Sequence, residues 1–299
     1  MNISLIVLNY NDYETTCKYL DFVKNYSVIN NVIIVDNCST NNSYEKLKIY
    51  ESEKIDVIKS DRNGGYAYGN NYGIRYAKEK YNPDYLIISN PDVFFEESII
   101  EIMKNFIEKN NSINIGIVSP TIINNQNSSM PIAWKIPSYW DNVFSMIIIF
   151  DKLLAQSKYY KKSHFIGEFS VVDVIPGSFF MIKSSIFYEI NLFDENTFLF
   201  GEENILAYKL RKRNYQNVVL NNIFYNHDHS ASINKSFNTL LLKYKILYDS
   251  LKYYNREYLK TGMFKHIIFF IFFKIGNAEK RIITVIKKVL RGKQDGKNI

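Results

Sequence analysis

Short strand-like segments, most of them apolar, recur through the first third of the chain. They occupy residues 3–8, 31–35, 56–60 and 85–88. Apolar runs of this length are typical of strands that are buried on both faces, as in a parallel sheet. Segments with helical spacing follow the first three of them, at residues 15–24, 44–50 and 72–80. This alternation predicts an α/β fold in which helices flank a mostly parallel sheet.

Acidic and amide residues follow the ends of two predicted strands. Asp36 comes directly after the second strand, and Asp92 follows the fourth, in the sequence Ser89-Asn90-Pro91-Asp92. The proline ends the strand because it lacks a backbone donor and restricts the residue before it. In open α/β sheets, ligands bind at the carboxyl ends of the strands. Asp92 is therefore a candidate ligand, although an acid after a strand is also a common turn residue.

A glycine-rich segment, residues 61–71, follows the third predicted strand and precedes the helix at 72–80. Its glycines allow backbone amides to approach a bound ligand closely. The spacing GGYAYG differs from the dinucleotide fingerprint GxGxxG. From the residues alone, a tight connection between strand and helix explains the segment equally well.

Two adjacent acids, Glu202 and Glu203, begin another predicted helix, which ends near Asn214. Acids in a first helical turn are favoured by the helix dipole, and this alone would explain them. Neighbouring carboxylates also repel each other, which makes at least one of them a better base near neutral pH. Further on, His227 and His229 follow a strand-like stretch and suit either a ligand site or a surface hairpin.

The carboxyl-terminal part has a different pattern. After a tyrosine- and lysine-rich helical stretch at 240–258, an apolar patch at 263–273 precedes a basic amphipathic helix. The patch is too short to cross a bilayer, which takes about 20 apolar residues. An anionic membrane surface and packing on the rest of the protein are both compatible with this pattern. In the middle of the chain, the aromatic residues of 134–140 and 144–150 suit either a core or a sugar-binding wall.

Composition narrows the class of protein. The 299 residues are 46% hydrophobic, as in a globular protein with a sizeable core. Two cysteines are too few for a disulfide framework, and the opening residues lack a basic leader, so a cytoplasmic protein is predicted. A net charge of +7 implies an anionic partner of unspecified kind.

Several motifs together carry a family resemblance. IVLNYN, VIIVDNCST, NGGYAYGNNYGI and ISNPDV, followed by PGSFFMIK, FDENTFLFGEENILAYKLRKRNY and NHDHSAS, cover residues 3 to about 235. In order and spacing they resemble family 2 glycosyltransferases with the GT-A fold, especially the rhamnosyltransferase-like branch that builds bacterial surface polysaccharides. The resemblance implies a catalytic GT-A domain over 1–235, and the residue pattern beyond it predicts a helical, basic amphipathic extension over 236–299.

The resemblance also implies which residues contact a nucleotide sugar. Tyr10 matches the position that packs on the base, and Asp36 matches the one that hydrogen-bonds the imide of the base. The positions that close over the ribose and diphosphate, or that stand at the DxD motif, are Gly64, Gly65, Asn70, Asn90 and Asp92.

A divalent metal and a catalytic base follow from the same resemblance. The DxD motif reads Asn90-Pro91-Asp92, which leaves Asp92 as its one carboxylate, and His227 matches a histidine near the diphosphate. Mg²⁺ takes one or two carboxylates together with phosphates and water, so the single carboxylate of Asp92 is sufficient for Mg²⁺ or Mn²⁺. A neutral His227 can either join Asp92 on the metal or donate to a phosphate. Glu203 matches the general base and Glu202 a supporting acid. The family has Asp where this chain has Glu203, so either acid could reach the acceptor.

The resemblance thus predicts an inverting transfer of a sugar, rhamnose favoured, from a dTDP- or UDP-sugar to a hydroxyl of a saccharide acceptor. The acceptor is expected to be lipid-linked, and the enzyme to lie peripherally on the inner face of the plasma membrane. Two alternatives stay open: a catalytically silent nucleotide-sugar binder, and a nucleic-acid-binding protein. Acids at the predicted strand ends argue against the second, because they would repel a phosphate backbone.

Overall fold

Nine strands form one mixed sheet in the structure, a computed structural model that describes residues 1–110, 112–123, 132–228 and 239–295, with side chains as far as residue 286. The strands are β1 (Ile3–Asn9), β2 (Asn31–Asp36), β3 (Ile55–Lys59), β4 (Tyr85–Ser89), β5 (Val93–Phe94), β6 (Ile115–Ile123), β7 (Phe169–Val172), β8 (Phe179–Lys183) and β9 (Gln216–His227). The helices are α1 (Tyr13–Val23), α2 (Ser43–Lys48), α3 (Gly65–Tyr81), α4 (Ser98–Lys109), α5 (Tyr139–Ser145), α6 (Ile148–Lys158), α7 (Ser184–Glu189), α8 (Glu202–Lys212), α9 (Leu240–Glu257) and α10 (Met263–Asp295).

The first four strands run parallel, in the order β3-β2-β1-β4. The sheet continues as β8-β6-β9-β5, where β8 is antiparallel to both of its neighbours and β7 pairs antiparallel with β9. In the register of the parallel strands, Asn9 lies opposite Asp36 and Val7 lies opposite Ser89. The carboxyl ends of β1, β2 and β4 therefore meet at one edge of the sheet.

Alternate residues of the central strands enter two separate apolar clusters. In β2, Val32 and Ile34 belong to one cluster, while Ile33 and Val35 belong to the other. Successive side chains of a strand point to opposite faces, so the two clusters cover the two faces of the sheet. Because both faces are covered, these strands are apolar throughout, which is the pattern that made them recognisable in the sequence. The predicted α/β class is confirmed.

Helix α3 begins at Gly65, whereas the sequence predicted a loop as far as residue 71. The glycines of this segment serve close packing of a helix on the sheet. A Cβ added at Gly69 would lie 2.3 Å from a methyl group of Leu8, and one at Gly73 would lie 2.6 Å from Val35. The two stretches predicted around Val218 and Ile223 form one strand, β9, which has an irregular register against β6.

By its contacts the chain divides into two compact units. The sheet unit comprises Met1–Ile136 and Tyr159–Ser236, and the helical unit comprises Pro137–Lys158 and Phe237–Ile299. The predicted boundary between residues 235 and 236 lies outside the described residues and stays a prediction. The structure adds α5 and α6 to the helical part, although the sequence left residues 144–150 as a core or a sugar-binding wall.

The helical unit has its own apolar cluster. It is formed by Tyr139, Val143, Met146, Tyr244, Tyr248, Leu251, Phe269 and Phe273. Polar contacts join its two chain segments: Glu279 Oε2 accepts from the amide of Ile148, and Lys280 Nζ donates to the carbonyl of Met146 at 3.2 Å. The acid thus lies at the start of α6 and the cation at the end of α5, as the helix dipoles favour. Among the helices that the structure describes, none combines the length and the hydropathy that crossing a membrane requires.

Candidate functional site

Asp36 is fixed by its neighbours at the carboxyl edge of the sheet. It is fully buried, its Oδ2 accepts from the Asn9 side chain at 2.8 Å, and its Oδ1 accepts from the amide of Ser39 at 2.9 Å. Each carboxylate oxygen has further lone pairs, so Asp36 retains capacity to accept from a ligand. Tyr10 follows Asn9 directly and is half-buried. The two residues expected at a base therefore lie at neighbouring strand ends.

The glycine-rich segment is tied to the end of β2. The side-chain amide of Asn37 donates to the carbonyl of Gly65 and to Asn63 Oδ1, each at 3.1 Å. Gly65 has φ of +86°, and a Cβ at this position would lie 1.9 Å from the carbonyl oxygen of Phe198. Only glycine fits there, because the conformation is left-handed and the approach of the backbone leaves no room.

The remaining two residues of this predicted group flank the same helical start. Gly64 immediately precedes α3, and Asn70 lies in its second turn. The Asn70 side chain donates to the carbonyl of Tyr66 at 3.0 Å. Its Oδ1 is buried and has no hydrogen-bond partner among the described residues. A buried amide oxygen in this state can accept from a ligand hydroxyl.

Asp92 and His227 come together across two paired strands. Val93 lies opposite His227 in the antiparallel pair of β5 and β9, and the amide of Asp228 donates to the carbonyl of Asp92 at 2.9 Å. This pairing places His227 Nε2 3.1 Å from Asp92 Oδ1. The two residues are 5% and 4% exposed. A buried carboxylate and a buried imidazole thus lie within hydrogen-bond distance of each other.

This pair suits a divalent metal that a substrate helps to hold. Across the described ranges, no three His, Cys, Asp or Glu side chains come together as a metal site. One carboxylate and one imidazole leave most coordination positions to phosphate oxygens and water, as Mg²⁺ and Mn²⁺ accept. The donor set therefore fits a metal that binds together with a diphosphate. The role of Asp92 and His227 as its ligands stays a prediction.

The paired acids differ in their surroundings. Glu202 is 5% exposed, and its Oε2 has no hydrogen-bond partner among the residues described. Burial, and then the charge of Glu203, hold the pKa of the Glu202 carboxyl well above its usual range. Burial also raises the pKa of Glu203, while backbone N–H groups of Glu203 and Gly177 act in the opposite direction. Glu202 thus lies in the interior, and Glu203 lies beside Gly177.

A turn at residues 176–178 connects the acids to the metal-binding candidates. Gly177 accepts from the Tyr66 hydroxyl at 2.5 Å, and a Cβ on Gly177 would lie 3.1 Å from Glu203 Oε1. The next residue, Ser178, accepts from the amide of Asn90 at 2.8 Å. Through these contacts, one turn fixes both the neighbourhood of Glu203 and the Asn90-Pro91-Asp92 segment.

Three aromatic residues at this edge were not predicted as site residues. Burial raises the pKa of the Tyr66 hydroxyl, and the charges of Glu203 and Glu202 raise it further, so Tyr66 lies close to both acids. The Tyr225 hydroxyl lies 2.8 Å from Ser178 Oγ. Trp134 donates from Nε1 to Asn204 Oδ1 at 2.7 Å. The signals in the sequence were the position of Tyr66 in the glycine-rich segment, the position of Tyr225 two residues before His227, and the place of Trp134 in the aromatic stretch 134–140, which suited either a core or a sugar-binding wall.

His229 was also considered in the sequence, and it lies outside the described residues, as does the rest of the NHDHSAS motif after Asp228. The aromatic stretch at 134–140 is divided between the units. Trp134 belongs to the sheet unit, where its backbone pairs with Val174, while Tyr139 and Trp140 belong to the helical unit.

Comparisons with solved structures agree with the architecture. The structure superposes with a mannosyltransferase, PcManGT from Pyrobaculum calidifontis, in complex with GDP-Man and Mn²⁺ (TM-score 0.56, 13% identity, 89% of this chain and 68% of that chain). It also superposes with GalNAc-T7 with UDP, GalNAc and Mn²⁺ (TM-score 0.57, 15% identity, 92% of this chain and 55% of that chain). At these identities the likeness shows the fold, which is GT-A.

Curated relatives share more of the sequence. A low-salt glycan biosynthesis hexosyltransferase, Agl10 from Haloferax volcanii, is 29% identical over 71% of this chain, and a rhamnosyltransferase, WbbL from Escherichia coli, is 27% identical over 49%. The chain spans 62% and 54% of the lengths of these relatives. The family model of glycosyl transferase family 2 matches residues 4–191. Because this match extends over more than half of the chain, the protein belongs to glycosyl transferase family 2.

Proposed function

We propose that the protein is an inverting glycosyltransferase that uses a dTDP- or UDP-sugar, with rhamnose the favoured sugar. It transfers the sugar to a hydroxyl of a saccharide acceptor, lipid-linked, in the synthesis of a surface polysaccharide. Membership of the family supports glycosyl transfer, and the similarity to a rhamnosyltransferase supports the sugar. The observation that carries the proposal is the turn at 176–178, which fixes the neighbourhoods of Glu203 and of Asp92 together.

The nucleotide binds at the ends of β1 and β2 in this proposal. Tyr10 packs on the base and Asp36 accepts from its imide, while Gly64, Gly65 and Asn70 lie along the ribose and diphosphate. Asn90 and Asp92 lie at the diphosphate end. Two observations support this path for the nucleotide: Asn70 Oδ1 has no hydrogen-bond partner within the described ranges, and the close backbone approach at Gly65 admits only glycine.

Asp92 and His227 would hold Mg²⁺ or Mn²⁺. When bound, the ion offsets the negative charge that develops on the departing diphosphate. Within the protein, the hydrogen-bond contacts of Asp92 and the strand pairing of His227 fix the two donors before any ligand arrives. The structural neighbours that are named as complexes with Mn²⁺ support such a site.

Glu203 acts as the general base. It takes the proton from an acceptor hydroxyl, whose oxygen forms a bond to the anomeric carbon while the bond from that carbon to the diphosphate oxygen breaks. Displacement from the opposite side inverts the anomeric configuration. A raised pKa brings the carboxylate closer to the basicity that a base needs near neutral pH. Glu202, whose protonated form is favoured by burial and by the charge of Glu203, supports Glu203 by remaining neutral.

The proposed lipid-linked acceptor is the reason for placing the protein at a membrane. A lipid-linked acceptor lies at a membrane, and the chain has an excess of positive charge that an anionic membrane surface would attract. We therefore place the protein peripherally on the cytoplasmic face of the membrane.

A thermal-shift screen of dTDP- and UDP-sugars, with and without Mg²⁺ or Mn²⁺, tests the donor site. A ligand that binds only the folded state adds about 2.7 kcal/mol to the free energy of unfolding at a hundredfold excess over its Kd, and this raises the apparent melting temperature. We expect a larger shift with metal than in EDTA, and we expect Asp92→Asn to reduce the shift in metal much more than the shift in EDTA. Equal losses in both conditions would remove Asp92 from the site.

Turnover separates an enzyme from a silent binder. The silent alternative arises because Asn90 and Glu203 differ from the residues of the family pattern. With the donor found by thermal shift, release of the nucleoside diphosphate in the presence of an acceptor extract supports transfer. A donor that binds without any release would establish the silent alternative.

A further inference from the structure

As far as residue 286, where the described side chains end, helix α10 shows two apolar stripes, and one of them packs inside the helical unit. The inner stripe contains Phe269, Phe273, Gly276 and Lys280, spaced by four, three and four residues. Phe273 stacks on Tyr248 with ring centroids 3.9 Å apart, and Gly276 approaches the backbone of α5 so closely that a Cβ would lie 1.9 Å from the Met146 oxygen. This stripe packs the helix against α5 and α9.

The outer stripe lies on the opposite side of α10. Its members are spaced by three, four or seven residues, which keeps them on one face of a helix, and they are 49% to 86% exposed. They are Phe264, Ile267, Ile271, Ile275, Ile282 and Ile286. A soluble surface helix ordinarily turns polar residues to this side.

Helix α6 extends the same exposed surface. Ile149 and Leu153, one helical turn apart, are 64% and 72% exposed. Phe150 joins α6 to α10, because its ring lies 6.4 Å from that of Phe272. Phe144 lies 6.0 Å from Phe272 and stacks on Trp140, which is itself nearly half exposed. The ring contacts of Phe144, Phe150 and Phe272 thus connect α6 and Trp140 to α10, the helix that has the outer stripe.

The charge of the helical unit indicates what covers these exposed apolar side chains. The residues of the unit include sixteen Lys and Arg against six Asp and Glu, a net charge of +10, whereas the whole chain has +7. The rest of the protein is therefore acidic overall. Exposed Lys274 and Arg281 lie next to the outer stripe on the surface of α10. Apolar side chains bordered by cations are the composition of a surface that lies on anionic lipid.

We propose that this face, made of the outer stripe of α10, the exposed residues of α6 and Trp140, docks on an anionic lipid surface. The inference rests on the membrane location in the proposed function and adds α5 and α6, which the sequence had left as core or sugar-binding wall. Apolar side chains enter the interface, and the neighbouring cations contact lipid headgroups. Large exposed apolar patches are uncommon on proteins that have no partner there.

Vesicle sedimentation tests the contribution of α6. The full chain is expected to bind vesicles of equal parts phosphatidylglycerol and phosphatidylcholine at low salt, and to be released by high salt or by phosphatidylcholine alone. The variant Ile149→Ser/Leu153→Ser is expected to bind at least about tenfold more weakly, since two apolar side chains no longer enter the interface. The matched control is Ile49→Ser/Ile166→Ser, which removes two side chains that are 78% and 74% exposed on the sheet unit.

The two tryptophans give an independent measurement on intact protein. Trp134→Phe leaves Trp140 as the only tryptophan, and Trp140→Phe leaves only Trp134. Vesicles that contain brominated lipid are expected to quench Trp140 and to leave Trp134 unquenched. The thermal shift with nucleotide is measured on the same variants, so failure of the donor site and failure of the docking face are seen separately.

Three outcomes would overturn the proposal. Binding that is equal in both double variants, with Trp140 unquenched, would show that α6 does not touch lipid. No binding of the full chain at low salt would remove the lipid surface altogether. A dimer by light scattering that Ile149→Ser/Leu153→Ser dissociates would identify a second copy of the chain as the occupant.

Discussion

Glu202 and Glu203 are neighbours in sequence but lie in different surroundings. Glu202 is enclosed, and its Oε2 has no hydrogen-bond partner in the described part of the chain. Glu203 lies beside Gly177, at the turn that also holds Asn90. We expect Glu203→Gln to lower transfer by about a hundredfold or more, because the amide cannot take a proton. Donor binding, followed by thermal shift, is expected to change little.

Glu202→Gln is the matched variant for that prediction. It removes the same charge one residue away and is expected to lower transfer by less than about tenfold, because Glu202 is already protonated in the proposed mechanism. A reversal of the two severities would assign the base to Glu202.

Stability should also report the protonated state of Glu202. The ordinary pKa of 4.5 applies to the unfolded chain, and burial raises the pKa in the folded protein. Above pH 4.5 the unfolded chain releases the proton while the folded protein keeps it, so stability falls as pH rises towards the folded pKa. The slope is at most about 1.4 kcal/mol per pH unit for one group.

This pH dependence of stability can be measured from the melting temperatures of wild type and Glu202→Gln between pH 5 and pH 8, in steps of about one pH unit. We expect the variant to gain stability relative to wild type as pH rises. Glu101→Gln, on the exposed side of α4, serves as control. A constant difference between wild type and Glu202→Gln would show that Glu202 ionises normally.

The site residues at the strand ends could be predicted from the sequence, but the contacts between distant residues could not. Asp36 and Asp92 stand where apolar runs end, and this pattern is local. Tyr66 was not predicted because its partner, Gly177, is 111 residues away along the chain. A single tyrosine among 24 has no local signal that distinguishes it from a core residue.

At the scale of elements, the tight contact between α10 and α5 depends on Gly276. A Cβ there would meet both the Met146 carbonyl at 1.9 Å and the Tyr244 hydroxyl at 2.3 Å. Gly276→Ala is therefore expected to destabilise the protein by about 1–3 kcal/mol, the usual cost of overpacking, despite the better helix propensity of alanine.

Gly262→Ala is the control for this variant. Apart from its chain neighbours, no atom of the described residues lies within 4 Å of a Cβ at Gly262, so its effect on stability should stay within about 0.5 kcal/mol. Thermal melts of both variants decide the question. Equal stability of Gly276→Ala and wild type would mean that α10 does not pack on α5 in solution.

The elements that were predicted from the sequence have a local signal, whereas pairings with distant partners were not predicted. The parallel strands and the helix that begins with Glu202 follow from periodicity and end signals. The antiparallel placement of β8 between β4 and β6 follows from pairing across the sheet, which no local pattern specifies. Likewise, Tyr139 of α5 finds its hydrogen-bond partner in Lys265, 126 residues further on.

At the scale of the molecule, the helical unit is discontinuous, and this changes what a truncation does. Stopping the chain after residue 236 removes α9 and α10, and it leaves Tyr139, Val143 and Met146 of the α5 region without their apolar partners. We expect such a protein to aggregate, as measured by light scattering.

Removing both segments is expected to give a different result. Trp134 and Tyr159 are bridge partners, so the chain enters and leaves residues 137–158 at adjacent points. A short linker from Ile136 to Tyr159, combined with a stop after Ser236, should give a monomer that still shows the nucleotide-dependent thermal shift. Loss of that shift in a folded monomer would show that donor binding needs the helical unit.

The same discontinuity has a consequence during synthesis on the ribosome. Helices α5 and α6 are complete at residue 158, but α9 begins only at Leu240, and α10 follows it. At a translation rate of about 5–20 residues per second, synthesis from residue 158 to Leu240 takes roughly 4–16 s, and the apolar side chains of α5 wait at least that long for their partners. During this interval the helices α5 and α6 of the nascent chain expose apolar side chains, to which chaperones can bind. A stalled ribosome would prolong this exposure. Slow codons after residue 158 should therefore lower the yield of soluble protein more than the same codons placed before residue 137.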